Sequence, residues 1–242
     1  MRVAVVSDIH ANGHALDAVL AAVQSEAPDE LWCLGDTVGY GPEPNRCCTL
    51  VAEHATVCLA GNHDLAVTGA IPVDAFNGDA AAAVRWTQQT LEPAARTFLE
   101  GLSPSASREG VELFHGSPLD PIWDYVLSEQ AARDSFAATS APLILVGHSH
   151  IALILGSEHE VISGGLAPTD ATIDLSHGRF LLNPGSVGQP RGKDPRAAWL
   201  LVDLDQRTAT FRRTAYSVAA TQAQLRERGL PEALAARLAL GI

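Results

Sequence analysis

Seven polar residues stand where apolar runs stop. "VAVVSDIH" offers Asp8 and His10, "LWCLGD" Asp36, "VCLAGNHD" Asn62 (followed by His63 and Asp64), "VELFHG" His115 and "LILVGHSH" His148 and His150, with Asp8, His10, Asp36, Asn62, His115, His148 and His150 as the seven. Taken singly, each has an ordinary explanation. Asp8 suits a helix cap, Asp36 and Asn62 suit tight turns beside Gly35 and Gly61, and a lone histidine after a strand is usually a packed one. Those explanations leave the recurrence at five run ends unaccounted for. Carboxylate, imidazole and carboxamide oxygen, with no thiolate, form a hard-to-borderline ligand set. Four His, two Asp and one Asn are too many for one tetrahedral zinc. They suit two divalent ions roughly 3.5–4 Å apart that share a carboxylate and a water. In "HSH" an extended backbone would turn the two rings to opposite sides, whereas a loop could aim one at each ion. His14, His54, His159 and His177 lack this placement and are read as structural.

The elements that must position these residues alternate in the first half. "RVAVVS", "ELWCL" and "ATVCLA" have the composition of buried strands. Helical spacing over 14–25 and a proline-opened helix over 42–54 separate them. A longer helical region is expected over about 79–102, broken at Pro93, followed by strand patterns in "VELFH" and "PLILVG". After Ile151 short strands succeed one another ("ALILG", "EVIS", "RFLLN", "AAWLLVDL", "TATFRRT"), and two helices close the chain near 218–228 and 232–240. Alternating β-α units followed by a strand-rich half predict an α/β fold of packed sheets with helices outside. With no linker, low-complexity segment or repeat, residues 1–242 are expected to form one domain. In open α/β sheets ligands bind beyond the carboxyl ends of the strands, which is where the seven residues fall.

Composition narrows the partners. The chain carries 16 Lys+Arg against 28 Asp+Glu, a net charge of −12, and has no basic run. An extended nucleic-acid or anionic-membrane surface needs clustered cations, so neither is expected. A small phosphorylated substrate stays open, because bound metal can supply positive charge locally. No apolar run approaches the ~20 residues of a membrane span, and "VAVVSD" is too short for a signal-peptide core. Cys33, Cys47, Cys48 and Cys58 show no CxxC spacing and read as reduced, packed thiols of a cytoplasmic protein.

"DIH" at 8–10, "GD" at 35–36, "GNHD" at 61–64, "HG" at 115–116 and "GHSH" at 147–150 resemble, in order and spacing, the five signature blocks of the calcineurin-like metallophosphoesterase superfamily. "NPGSVGQPR" at 183–191 resembles a further block of its bacterial phosphodiesterase-like branch. The resemblance implies a four-layer α-β-β-α sandwich of two mixed sheets and two divalent ions, manganese first, with iron, zinc, cobalt or nickel as alternatives. It matches Asp8, His10 and His150 to one ion, Asn62, His115 and His148 to the other, and Asp36 to the bridge. His63 matches the non-ligand histidine beside the leaving-group oxygen, and Asp64 is left to orient its neighbours or cap the next segment. The chain departs from the protein phosphatases and the dinucleoside tetraphosphate hydrolases after "GD", where Gly39-Tyr40-Gly41 replaces their phosphate-binding Arg. The phosphatase Asp that pairs with the catalytic histidine falls on Gly39. Arg191 is the candidate substitute for the phosphate contact.

The resulting expectation is hydrolysis of a small phosphodiester by a metal-bridging hydroxide, with His63 assisting the leaving group. The alternatives are a phosphomonoesterase or nucleotide pyrophosphohydrolase on the same site, and a non-catalytic scaffold of the same fold. Tyr40, Trp123 and Tyr125 offer an aromatic lip for a nucleobase, although Trp123 and Tyr125 equally suit a packed loop, the reading favoured from sequence.

Overall fold

Val3, Ala4, Val5 and Val6 are all buried, because both faces of the strand they form are covered. The computed structural model describes residues 1–242. β1 (Arg2–Val6), β2 (Glu30–Cys33) and β3 (Val57–Cys58) run parallel, and β1 lies between β2 and β11 (Ala197–Asp203), antiparallel to the latter. β12 (Thr208–Thr214) and β9 (Thr172–Asp174) complete this first sheet, in the order β3-β2-β1-β11-β12-β9. The second sheet has the order β4-β5-β6-β10-β7-β8. Its members are β4 (Ser105–Arg108), β5 (Val111–Phe114), β6 (Leu143–Val146), β7 (Ala152–Glu158), β8 (Val161–Leu166) and β10 (Arg179–Pro184). Here β5, β6 and β10 are parallel to one another.

The period of two along each strand sorts the core into layers. Val3, Val5 and Trp32 of the first sheet meet Leu113, Leu145 and Leu182 of the second. Ala4, Val6 and Cys33 face the other way, onto α1 (Gly13–Glu26) and α2 (Pro44–His54) through Leu16, Val19, Cys47 and Val51. On the far face of the second sheet Ile144, Val146 and Leu181 pack on Phe136 of α6 (Glu129–Ala138). The product is an α-β-β-α sandwich of two mixed six-stranded sheets, the expected layering. α3 (Asn62–Thr68), α4 (Gly78–Thr90) and α5 (Pro93–Glu100) stand beside it, as do α7 (Val218–Glu227) and α8 (Glu232–Leu240). No helix is long and apolar enough to cross a membrane.

The structure departs from the sequence expectations at edges. "ATVCLA" supplies only two ladder residues, with Leu59 adding a single bridge to Ser103. β4 and β9 are short edge strands of mixed polarity, "SASR" and "TID", and carry no alternation to detect. α6 begins at a Ser128 cap, whose hydroxyl accepts from the Ala131 amide, and it was not expected. The "GNHD" knot is the first turn of α3 rather than a bare turn.

Candidate metal centre

Six parallel strands end at one edge of the sandwich, three from each sheet, and their loops stitch together there. After β1 and β2 the pairing continues without ladder geometry. The amides of Asp8, His10 and Ala11 donate to the carbonyls of Gly35, Asp36 and Thr37 at 2.9–3.0 Å. The loop after β10 closes on the other flank, the Ser186 hydroxyl donating to the Asp8 carbonyl at 2.7 Å. Asp8, His10, Asp36, His148 and His150 all have left-handed φ, between 50° and 62°. That region is costly for residues with a Cβ, and its occupation concentrates at functional sites. The strain is what aims the side chains. His148 and His150 both point inward from one loop, which an extended strand end could not achieve.

Each carboxylate is anchored by one oxygen and free at the other. Asp8 Oδ2 accepts from the His148 amide at 3.1 Å, and Asp36 Oδ1 accepts from the His63 amide at 2.9 Å. Asp8 Oδ1 and Asp36 Oδ2 are buried with no hydrogen-bond partner, as is His148 Nε2. The imidazoles are anchored in the same manner. His10 Nδ1 lies 3.1 Å from the Val38 carbonyl, His115 Nδ1 2.8 Å from that of Leu34, and His150 Nδ1 2.7 Å from that of Gln189. A carbonyl only accepts, so each Nδ1 carries the proton and each Nε2 presents a lone pair. His10 Nε2 and His150 Nε2 are nevertheless 3.0 Å apart. Two lone pairs facing at that distance repel unless a cation lies between them.

Around them, ligand atoms of Asp8, His10, Asp36 and His150 lie within 4.8 Å of one another, and so do those of Asp36, His115 and His148. Donors ~2.0–2.3 Å from a common ion spread over nearly that range. Asp36 Oδ2 belongs to both groups, 3.6 Å from His10 Nε2 and 3.6 Å from His115 Nε2. Asn62 Oδ1 joins the second at 3.2 Å from His115 Nε2. The residues fit divalent metal at two adjacent positions, and all seven predicted ligands converge there.

Without positive charge the cluster is electrostatically unsatisfied. Burial pushes the Asp8 carboxyl up to about 7 and, with neighbouring Asp64, pushes Asp36 well above its ordinary range. Burial also lowers His10 and His150 far below the usual imidazole value and takes His148 down to about 2. A carboxyl raised in the fold stabilises most below its unfolded value, and that stability fades as pH rises through the folded value. For Asp8 the window runs from the ordinary 3.8 up to about 7. A divalent ion held by Asp8, His10 and His150 would supply the positive charge that the lost proton no longer provides. The increase in Tm on adding Mn²⁺ is therefore expected to be larger at about pH 8 than at about pH 5. Scanning calorimetry of chelator-stripped protein checks this, and equal increments at both pH values would contradict it.

His63 is adjacent to the ligands without joining either group. Its ring lies 4.9 Å from that of His10 and is flanked by Tyr40 at 4.4 Å and Phe76 at 4.8 Å between centroids. Its Nδ1 is buried and unpartnered. Burial first, then the charges of His115 and Arg191, hold its imidazolium down to about 3. Gly39, at φ +87°, passes so close that a Cβ there would stand 2.4 Å from His63 Nδ1, so only glycine brings the loop onto this ring. Asp64 ties that loop in place, accepting from the amides of Thr37 and Val38 at 3.2 and 3.0 Å and from Gly61 at 3.0 Å. It orients its neighbours, one of the two roles read from sequence.

A family model for the calcineurin-like phosphoesterase superfamily domain matches residues 1–207. The chain belongs to that superfamily. It is 35% identical over 246 residues to the uncharacterized protein MJ0912 of Methanocaldococcus jannaschii, covering 99% of this chain and 98% of that protein. The crystal structure of a metallophosphoesterase from Sphaerobacter thermophilus superposes with a TM-score of 0.91 at 39% identity, covering 100% and 99% of the two chains. A hypothetical protein, PH1004, from Pyrococcus horikoshii OT3 shares the fold at a TM-score of 0.80 and 21% identity, over 100% and 98%.

Two parts of this phosphoesterase site were missed in the sequence. Asn12 caps α1, donates to the Gly188 carbonyl at 2.9 Å and accepts from Thr221 of α7 at 3.0 Å. A helix beyond the family-matched residues thus braces the loop that carries His10 and the loop after β10, whose Gln189 carbonyl anchors His150. The signal was unreadable because Thr221 sits 209 residues from its partner. The second part is Phe76, which lines the cleft above the ligands beside Trp123, Tyr125 and Arg191. For Trp123 and Tyr125 the sequence offered an aromatic lip or a packed loop and favoured the loop; the structure places them on the cleft lining instead. Their loop turns its polar groups on itself. Ser117 donates to Asp124 at 2.7 Å, and the Ile122 and Trp123 amides donate to Asp120 Oδ1 at 3.0 and 3.1 Å. The rings are left outward, Trp123 36% and Tyr125 45% exposed.

Proposed function

We propose that this protein is a dinuclear metal-dependent phosphodiesterase acting on small substrates, with manganese as the first-choice metal. The observation that carries the reading is the pair of anchored imidazole lone pairs, His10 and His150, 3.0 Å apart beside two unpartnered carboxylate oxygens. Asp8, His10 and His150 would hold one ion, Asn62, His115 and His148 the other, with Asp36 Oδ2 shared. Bound there, divalent ions would neutralise phosphoryl oxygens as Lewis acids and acidify a water to serve as nucleophile.

The chain's own residues do the remainder. The anchored carboxylates and carbonyl-locked imidazoles keep the ligands from reorienting during reaction, so little reorganisation is needed. His63 faces the cleft and assists the departing oxygen. It is neutral in the free protein, and negative charge from a phosphoryl group beside it raises its proton affinity. Arg191 meets a non-bridging oxygen.

The preference for diesters follows from charge. Arg191 is the one cationic side chain lining the cleft above the ligands. A dianionic monoester finds little beyond the metal positions to balance its second charge, whereas a monoanionic diester is already matched. An aryl diester should therefore give the higher kcat/KM when compared with the corresponding aryl monoester across Mn²⁺, Co²⁺, Ni²⁺ and Zn²⁺. A monoester advantage of about tenfold or more with every metal would replace this reading with a phosphatase.

A further inference from the structure

Resting on the phosphodiesterase reading, we propose that the mouth of the cleft is a nucleobase subsite, making the substrate class a small nucleoside phosphodiester. The cavity over the ligands holds about 150 Å³, and its outer wall is aromatic. One wall runs outward from the chemistry without a break. His63 lies 4.8 Å from Phe76, and Phe76 lies 5.4 Å from Trp123. Across from it Tyr125 stacks on His148 at 4.1 Å with only 17° between the rings. Trp123 and Tyr125 still leave 36% and 45% of their surface in solvent at this mouth. Isolated exposed aromatics need no explanation, but ring faces gathered over a reactive cleft present a surface to a ligand.

The chemistry of that surface selects the ligand. Flat π-faces take a flat π-system, and stacking on them is tolerant of which base is present. Asn77, exposed beside Phe76 on the same lining, adds an amide that both donates and accepts, as a base edge requires. An aliphatic or lipid arm would leave that amide unused. A nucleic-acid polymer would need phosphate contacts along its length, which a chain of net charge −12 with one lining cation does not offer. The rings are also held in advance. Besides the Asp120 and Ser117 bonds, the Gly116 amide donates to the Pro121 carbonyl at 2.8 Å, so binding orders little that is not already ordered. Because the wall starts at His63, the base belongs to the arm that departs. In the reaction water adds to phosphorus, the P–O bond to the nucleoside breaks, and the proton delivered at His63 ends on the nucleoside hydroxyl.

The test uses the intact, metal-loaded protein. Methyl adenosine-5′-phosphate diester and dimethyl phosphate differ in the base-bearing arm but also in leaving group, so the matched pair is adenosine-5′ and ribose-5′ methyl phosphodiesters. The adenosine compound should have a kcat/KM at least ~10-fold higher, residing in KM. AMP should likewise inhibit aryl-diester turnover at least ~10-fold more tightly than ribose 5-phosphate. Trp123→Ala should bring both ratios toward one, and Trp123→Phe should keep most of each. Equal values for the members of each pair in the unsubstituted protein overturn the base subsite while leaving the phosphodiesterase reading intact, provided the aryl diester is hydrolysed. Failure to hydrolyse any diester, aryl diester included, overturns both. The inhibition arm does not depend on a variant folding. Cyclic AMP and adenylyl-adenosine, run alongside, distinguish cyclic from linear diesters as the source of the base.

Discussion

Asp36→Asn is expected to empty both metal positions together, whereas His10→Ala or Asn62→Ala should chiefly empty one. The Asp36 side chain is used twice. Oδ1 accepts a hydrogen bond from the His63 amide, and Oδ2 stands 3.6 Å from a ligand nitrogen of each group. An amide at this position must put its NH₂ somewhere. Directed inward, it sets a donor against two cations. Directed outward, it sets a donor against the His63 N–H. Removing a partner that merely orients a ligand costs roughly 10–100-fold in metal affinity, and loss of a shared anionic ligand should exceed that at both positions. Elemental analysis after gel filtration measures it. Two full equivalents retained in Asp36→Asn would take Asp36 out of the shared role.

His63→Ala should do the reverse, leaving metal content nearly intact while slowing turnover by ~10²–10⁴-fold. The ring belongs to neither ligand group, so its loss opens no coordination position. On the proposed reading, what is lost is the proton donor beside the departing oxygen. The penalty should shrink as the leaving group becomes more acidic, because a good leaving group departs without a proton. A series of aryl diesters of graded phenol pKa, paired with metal analysis, makes the comparison. Metal loss would make His63 a ligand. An equal penalty for every leaving group would make it a phosphate-positioning residue instead.

Much of this site was legible because strand ends are visible in sequence. The runs before Asp8, Asp36 and His148 are buried on both faces and read as uninterrupted hydrophobic stretches, while those before Asn62 and His115 are shorter or alternating but still end at the same edge. That helices cover packed sheets was legible from the alternation of strand and helix patterns, whereas the facing of Val3 and Val5 one way and Ala4 and Val6 the other came only with the structure. Features without a periodic signature were not legible. β4 and β9 are held by their neighbours' ladders rather than by their own composition. Phe76 reaches the cleft only because its loop folds back over His63. Trp123 and Tyr125 carry the same residue types whether packed or exposed, and the Asp120 and Ser117 bonds decided between those states. Thr221 acts through tertiary contact alone.

The position of β1 between β2 and β11 has a consequence for the order of assembly. Its partner on one side is fewer than thirty residues away in sequence, and on the other the register pairs Val5 with Leu200. His10 and His150, which face one another at 3.0 Å, are 140 residues apart. Closing loops of that size costs entropy that only later contacts recover, and such long-range pairings form slowly. During synthesis Asp8 and His10 therefore wait for most of the chain before the other half of their site exists. A complete metal site thus forms late, unlike the local ligand set through which a metal nucleates a zinc finger. An ion spanning both halves would be captured late, as a latch on an already closed sandwich, so the protein backbone alone must bear the left-handed turns before then.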